Sequence, residues 1–116
     1  MDLKVKQGDI WWIDPTPKIG AEQRGRRPAL IIQNNIANQY LHSTIIVIIS
    51  SSGKTQMPEM VNIGSEYGLK ENSYADFAQI FTIDKGRLMK KIGNIGENKW
   101  VEIEKALSSI FYKTIN

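Results

Sequence analysis

The sequence predicts an α+β domain, mainly antiparallel β: a curled sheet or small barrel with one helix packed on it at the C-terminus. Two observations carry this. From Gly8 to Phe81 the apolar residues fall in short segments of strand-like composition, punctuated by Gly, Pro, Asn and Ser. Beyond Glu97 the apolar period lengthens to that of a helix. Strands first and a helix last argue against alternating βαβ units. At 116 residues the chain suits one domain, 1–116, because two independent cores of half that size would each be marginal.

The first strand is read at Gly8-Asp9-Ile10-Trp11-Trp12-Ile13-Asp14, aromatic and β-branched, and it ends at Pro15-Thr16-Pro17. Adjacent strand residues point to opposite faces, so one of the two tryptophans must face inward. A loop broken by Pro17, Gly20 and Gly25 leads to Ala29-Leu30-Ile31-Ile32, a continuous apolar run expected to be buried on both faces. Residues 34–40 suit a short helical turn. Thr44 to Ile49 is the strongest strand signal and is expected at the sheet centre. Residues 60–63 and 74–81 alternate apolar with polar side chains as half-buried strands do. In the last segment Trp100, Ile103, Leu107, Ile110 and Phe111 fall on one helical face.

Composition narrows the chemistry. There is no cysteine, which removes thiol nucleophiles and thiolate metal sites and suits a reducing cytoplasm. The longest apolar run, Ile45 to Ile49, is far too short to span a bilayer, so a cytoplasmic protein with no membrane partner is expected. The lone histidine, His42, excludes a two-histidine acid–base pair within one chain. Phosphate-loop, dinucleotide and nucleophile-elbow motifs do not occur. The net charge of +3 is mild, but Lys18, Arg24, Arg26 and Arg27 face a single acid, Glu22, between residues 15 and 27. Arginine offers five donors in a rigid fork matched to phosphate oxygens, and beside a hydroxyl it can clamp a phosphodiester. RNA carries its own nucleophile, the 2′-hydroxyl, so such a clamp needs no protein nucleophile, metal or cofactor.

Gly8-Asp9-Ile10-Trp11-Trp12, then Pro15-Thr16, then Gly20-Ala21-Glu22-Gln23, then Arg27-Pro28-Ala29-Leu30-Ile31-Ile32-Gln33-Asn34 closely resembles the opening of the MazF/PemK toxins. Ile48-Ile49-Ser50, the block Gln79 to Lys85 with Arg87-Leu88, and the terminal helix continue the resemblance over nearly the whole chain. The resemblance implies an SH3-like barrel of the CcdB/Kid/MazF type, a homodimer, cleavage of single-stranded mRNA at short motifs, and neutralisation by a cognate antitoxin. It places the family's catalytic arginine on Arg27 and its catalytic hydroxyl on Ser50, where threonine is commoner. Glu22 becomes an acid–base or loop-ordering partner of Arg27. Lys18, Gln23, Arg24, Arg26 and Asn38 become the candidate RNA contacts, with Trp11, Trp12 and Tyr40 as candidate stackers.

Three positions depart from the family pattern. Arg24-Gly25 stands where a glycine pair is usual, Ala78 where an acid is usual, and Phe81 where arginine is usual. The last two keep an alternative open: a catalytically weakened module that binds RNA or antitoxin. A CcdB-like gyrase poison would share the fold, because fold alone does not determine function, but the Arg27-Pro28 block speaks against it.

Overall fold

The computed structural model describes residues 4–14, 26–51 and 57–114. The strands β1 (Asp9–Ile13), β2 (Arg27–Ile31), β3 (Ser43–Ser50), β4 (Met60–Gly64), β5 (Ser73–Asp84) and β6 (Leu88–Asn94) form a six-stranded sheet in the order β4-β5-β3-β2-β1-β6. Every pairing is antiparallel. Helix α1 (Asn35–Tyr40) joins β2 to β3, and α2 (Trp100–Phe111) follows β6. The α+β antiparallel class expected from the sequence is therefore the one observed.

The β-branched run of β3 lies inside the sheet between β2 and β5, as its composition led one to expect. Ala29, Leu30 and Ile31 of β2 are each fully buried, so this strand is covered on both faces. Alternation along the strands divides the core in two. One face contributes Ile10, Leu30, Val47, Val61, Ile63, Ala75 and Phe77, and Ile103 and Ala106 of α2 close over it. The other carries Trp11, Ile13, Ala29, Ile31, Ile46, Ile83 and Leu88, with Val5 packed among them. Each fully buried Leu, Ile or Phe contributes about 1.5–3 kcal/mol relative to an exposed one, so these two layers dominate the favourable side of folding.

The hydrogen-bonded ladder does not close into a full barrel, because β4 and β6 are its two edges. The turn after β4 nevertheless reaches β6. Just beyond β4, the main chain at Tyr67-Gly68 runs against Ile92-Gly93 of β6 so closely that a Cβ on Gly93 would lie 2.1 Å from the Tyr67 carbonyl oxygen. A Cβ on Gly68 would lie 2.3 Å from that of Ile92. Two glycines thus form a seam where the sheet curls back on itself, and Gly68 also has the positive φ of 89° that its turn requires.

Strand β6 is not apparent from the sequence pattern, since Met89-Lys90-Lys91 lacks clean alternation and sits exposed on an edge. The helix expectation is corrected at its C-terminal end. Ile103 and Ala106 are the buried residues of α2, whereas Ile110 and Phe111 are 37% and 70% exposed because the helix runs past the edge of the core.

Asp9 is wholly buried and shows how the strand ends are tied. Its carboxylate accepts hydrogen bonds from the Lys6 main-chain N–H (2.9 Å), Trp11 Nε1 (3.2 Å) and Asn94 Nδ2 (2.8 Å) and pairs with Lys91 Nζ at 3.2 Å. Burying a charge is costly unless it is paired and fully hydrogen-bonded, and here one carboxylate links β1, β6 and the segment before β1.

Candidate active site

Antiparallel pairing dictates which residues meet at each end of the sheet. The β2–β3 register pairs Ala29 with Ile48, Leu30 with Val47 and Ile31 with Ile46. Arg27 precedes Ala29 on β2 and Ser50 follows Ile48 on β3, so both stand at the same end of this strand pair. On the other side of β2, Arg27 pairs with Ile13 at the end of β1, and Ser50 pairs with Tyr74 near the start of β5. Two residues far apart in sequence are thereby delivered to one end of the sheet by hydrogen bonding alone.

There they line an open groove of about 450 Å³, together with Trp12, Arg26, Pro28, Ile49 and Ser51. Its far side is built by Gly68, Leu69, Lys70, Glu71 and Ser73, the turn that the glycine seam holds against β6. Arg26, Arg27 and Lys70 outnumber Glu71, so the charged lining favours an anion. Arg27 and Ser50 are both half-buried, which limits solvent screening of their hydrogen bonds while leaving them accessible. Trp11 faces the core at 6% exposure, and Trp12, on the opposite face of β1, is half-buried in the groove. The alternation argument is thus resolved in favour of Trp12 as the accessible ring.

Arg26, Arg27 and Ser50 are the sequence candidates that the structure brings together. Lys18, Glu22, Gln23 and Arg24 lie outside the described residues. Asn38 is placed differently from expectation. It is 3% exposed near the opposite end of the strands, where its amide accepts from Gln33 Nε2 (2.9 Å) and Thr44 Oγ1 (2.8 Å) and donates to the Gln33 carbonyl (2.9 Å). With both its polar side-chain atoms engaged inside the fold, Asn38 joins α1 to β2 and β3 rather than offering a surface contact. Asn34 caps the same helix by accepting from the Ala37 N–H at 2.8 Å. The Gln33-Asn34 pair thus has an architectural role.

A larger groove of about 830 Å³ lies at that opposite end, lined by Lys4, Lys6, Tyr40, His42, Asp84 and Lys85 among others. It contains neither Arg27 nor Ser50, and it is where His42 and the exposed Tyr40 reside. Among the described residues, no group of three or more His, Asp or Glu side chains could hold a metal ion. No helix among them is long and apolar enough to cross a membrane. Ala78 and Phe81, the two departures on β5, are exposed and are not part of the groove lining.

The groove residues that the sequence reading did not single out are those of the far wall, Lys70 and Glu71. In sequence they read as a solvated turn, and only the approach of Gly68 to Ile92 places them opposite Arg27.

Comparison with known proteins identifies the chain's kin. Residues 6–111 match the family model for the PemK-like, MazF-like toxin of type II toxin-antitoxin systems. The chain is 37% identical over 105 residues to endoribonuclease EndoA of Bacillus subtilis, covering 89% of this chain and 90% of that protein. It is 36% identical to endoribonuclease MazF of Staphylococcus epidermidis over 89% and 88% of the two chains. Among solved structures, a mycobacterial endoribonuclease in complex with its cognate antitoxin superposes with a TM-score of 0.78 at 22% identity, over 97% of this chain and 99% of that one. A MazE–MazF structure from Deinococcus radiodurans gives the same TM-score and identity over 97% and 100%. These structural likenesses establish the fold, and the sequence matches establish the kinship: the chain belongs to the PemK-like, MazF-like toxin family of type II toxin–antitoxin systems.

Proposed function

We propose that this chain is an endoribonuclease toxin that cuts single-stranded mRNA and is neutralised by a cognate antitoxin. The observation that carries the reading is that Arg27 and Ser50, at the same end of β2 and β3, line one cationic groove. The attacking group is the substrate's own 2′-hydroxyl. As the 2′-oxygen bonds to phosphorus, the bond from phosphorus to the 5′-oxygen breaks, leaving a 2′,3′-cyclic phosphate on one fragment and a 5′-hydroxyl on the other. The proton lost by the 2′-hydroxyl is matched by one gained at the departing 5′-oxygen.

Arg27 stabilises the additional charge on the phosphorane oxygens, a role suited to the planar fork of donors on a guanidinium. Ser50 donates its hydroxyl hydrogen bond to a phosphate oxygen and holds the phosphorus in line with the 2′-oxygen. Trp12 and Arg26 seat the strand, and Glu22 serves as the acid–base or loop-ordering partner of Arg27. The active species is a homodimer in the cytoplasm, and the antitoxin covers the same groove.

The deciding experiment incubates purified protein with a long RNA in the presence of EDTA and maps the cut ends. Discrete cuts bearing 2′,3′-cyclic phosphate and 5′-hydroxyl ends are expected. RNA left intact by folded protein would overturn the proposal. The departures at Ala78 and Phe81 give little weight to a weakened variant, since both lie outside the groove lining.

A further inference from the structure

The far wall of the groove carries a side chain that phosphate binding does not explain. Arg26, Arg27, Ser50, Ser51 and Lys70 supply positive charge or hydroxyl donors suited to a phosphodiester, which presents only acceptors. Among the described residues Glu71 is the single acid in this lining, and it is exposed. Within the described residues its carboxylate makes no ion pair and no hydrogen bond. A carboxylate beside a polyanion repels phosphate, so the contact it can make to a bound strand is to a group that donates. In an RNA strand the strong donors, apart from the 2′-hydroxyl, are on the bases.

The main chain that carries Glu71 is held on both sides. Gly68 and Gly93 lock the turn against β6 by main-chain contact, leaving no room for a Cβ on either. The Leu69 N–H donates to the Glu66 carbonyl at 3.1 Å, and the Leu69 side chain is buried in the core. Ser73 Oγ donates to the main-chain carbonyl of Glu71 itself at 2.8 Å. A reader of base edges needs such support, because loosely held groups lose their discrimination. Across the groove, the half-buried ring of Trp12 offers a face on which a base can stack, sequence-tolerant by itself.

We infer that Glu71 is a specificity-determining residue, accepting hydrogen bonds from an exocyclic amino group on a base next to the cut, while Lys70 holds a neighbouring phosphate. This rests on the endoribonuclease reading above. A carboxylate favours cytosine, adenine or guanine, whose amino groups donate. It disfavours uracil, whose one imino donor lies between two carbonyl oxygens that repel it. One well-made base contact of this kind discriminates by about 5- to 150-fold.

The test uses full-length protein, wild type and Glu71→Gln, on an RNA pool randomised around the cut. A second arm measures binding to 2′-O-methylated oligonucleotides that differ only at the selected position. Wild type is expected to reject uracil at one position flanking the cut, and Glu71→Gln to admit it, with the preference falling by about 5-fold or more. Unchanged preferences in a cutting Glu71→Gln protein would overturn the inference alone. A uniform rate loss at every sequence would also overturn it, since that is the signature of a group acting on the reaction. Binding preference that shifts as expected without any cleavage by wild type would sustain base reading and sink the endoribonuclease assignment. Absence of both cleavage and binding would sink both.

Discussion

Replacing Gly93 with alanine tests the seam that closes the sheet and mounts the far wall of the groove. The added Cβ would sit 2.1 Å from the Tyr67 carbonyl oxygen and 2.7 Å from its carbonyl carbon. Comfortable non-bonded separation is roughly 3.5 Å, so the two main chains must part by about 1 Å or more. The obstacle cannot rotate aside, because it is backbone in a turn anchored by buried Leu69. Overpacking typically costs about 1–3 kcal/mol, and a backbone clash this close belongs at the upper end. Taking about 3 kcal/mol and about 4 °C per kcal/mol for a chain this size, the melting temperature should fall by about 12 °C. Gly96→Ala is the internal control. Gly96 has a φ of 64° but nothing within 4 Å of its Cβ position, so only the left-handed conformation is penalised, at about 1 kcal/mol and about 4 °C. Thermal unfolding followed by far-UV circular dichroism reads both. If Gly93→Ala melted no lower than Gly96→Ala, the turn after β4 would not be in contact with β6 and the groove would lack its far wall.

Arg27→Ala should lower RNA cleavage by about 10²- to 10³-fold, as removal of one donor aimed at developing charge usually does. Near-normal cleavage rates would end its assignment. Ser50→Ala should lose about 10²-fold while Ser50→Thr retains activity, and a fully active alanine variant would reduce Ser50 to ending a strand. Asp9→Ala removes the buried acceptor of three hydrogen bonds and the partner of Lys91. It should destabilise the fold by about 3 kcal/mol, discounted from the usual range because Lys91 is 46% exposed and can turn to water; chemical denaturation measures it, and a loss under about 1 kcal/mol would contradict the hub. An acidic antitoxin tail should compete with a non-cleavable RNA for the groove, and added salt should weaken the RNA more than the apolar part of the tail; simultaneous binding at undiminished affinities would refute a shared site.

Much of this fold is legible locally. The run from Thr44 to Ile49 has one sensible home, the buried interior of a sheet, and Ala29 to Ile31 likewise. The period change near Trp100 gives the helix, although periodicity cannot say where the core ends: Ile110 and Phe111 share the spacing of buried Ile103 yet are exposed. Strand β6 hides because an edge strand bearing lysines needs no alternation. Asn38 illustrates a different limit: a polar residue in a short helix looks like surface until Gln33 and Thr44 are brought to it by the strands on either side.

The groove shows why chemistry was easier to read from sequence than selectivity. Arg27 and Ser50 lie at one end of adjacent strands whose register the buried side chains of β2 and β3 enforce; a slip of one residue would turn Leu30 and Val47 from one core layer toward the other. The residues proposed to cut are therefore supported by the most strongly specified part of the fold. Lys70 and Glu71 depend instead on a turn held by contact with β6, where no ladder sets the register and two glycines supply the fit. Such a turn can exchange its exposed side chains at little cost to the core. It follows that substitutions on this wall should alter which RNA is cut before they alter whether RNA is cut, whereas substitutions along β2 and β3 should do the reverse.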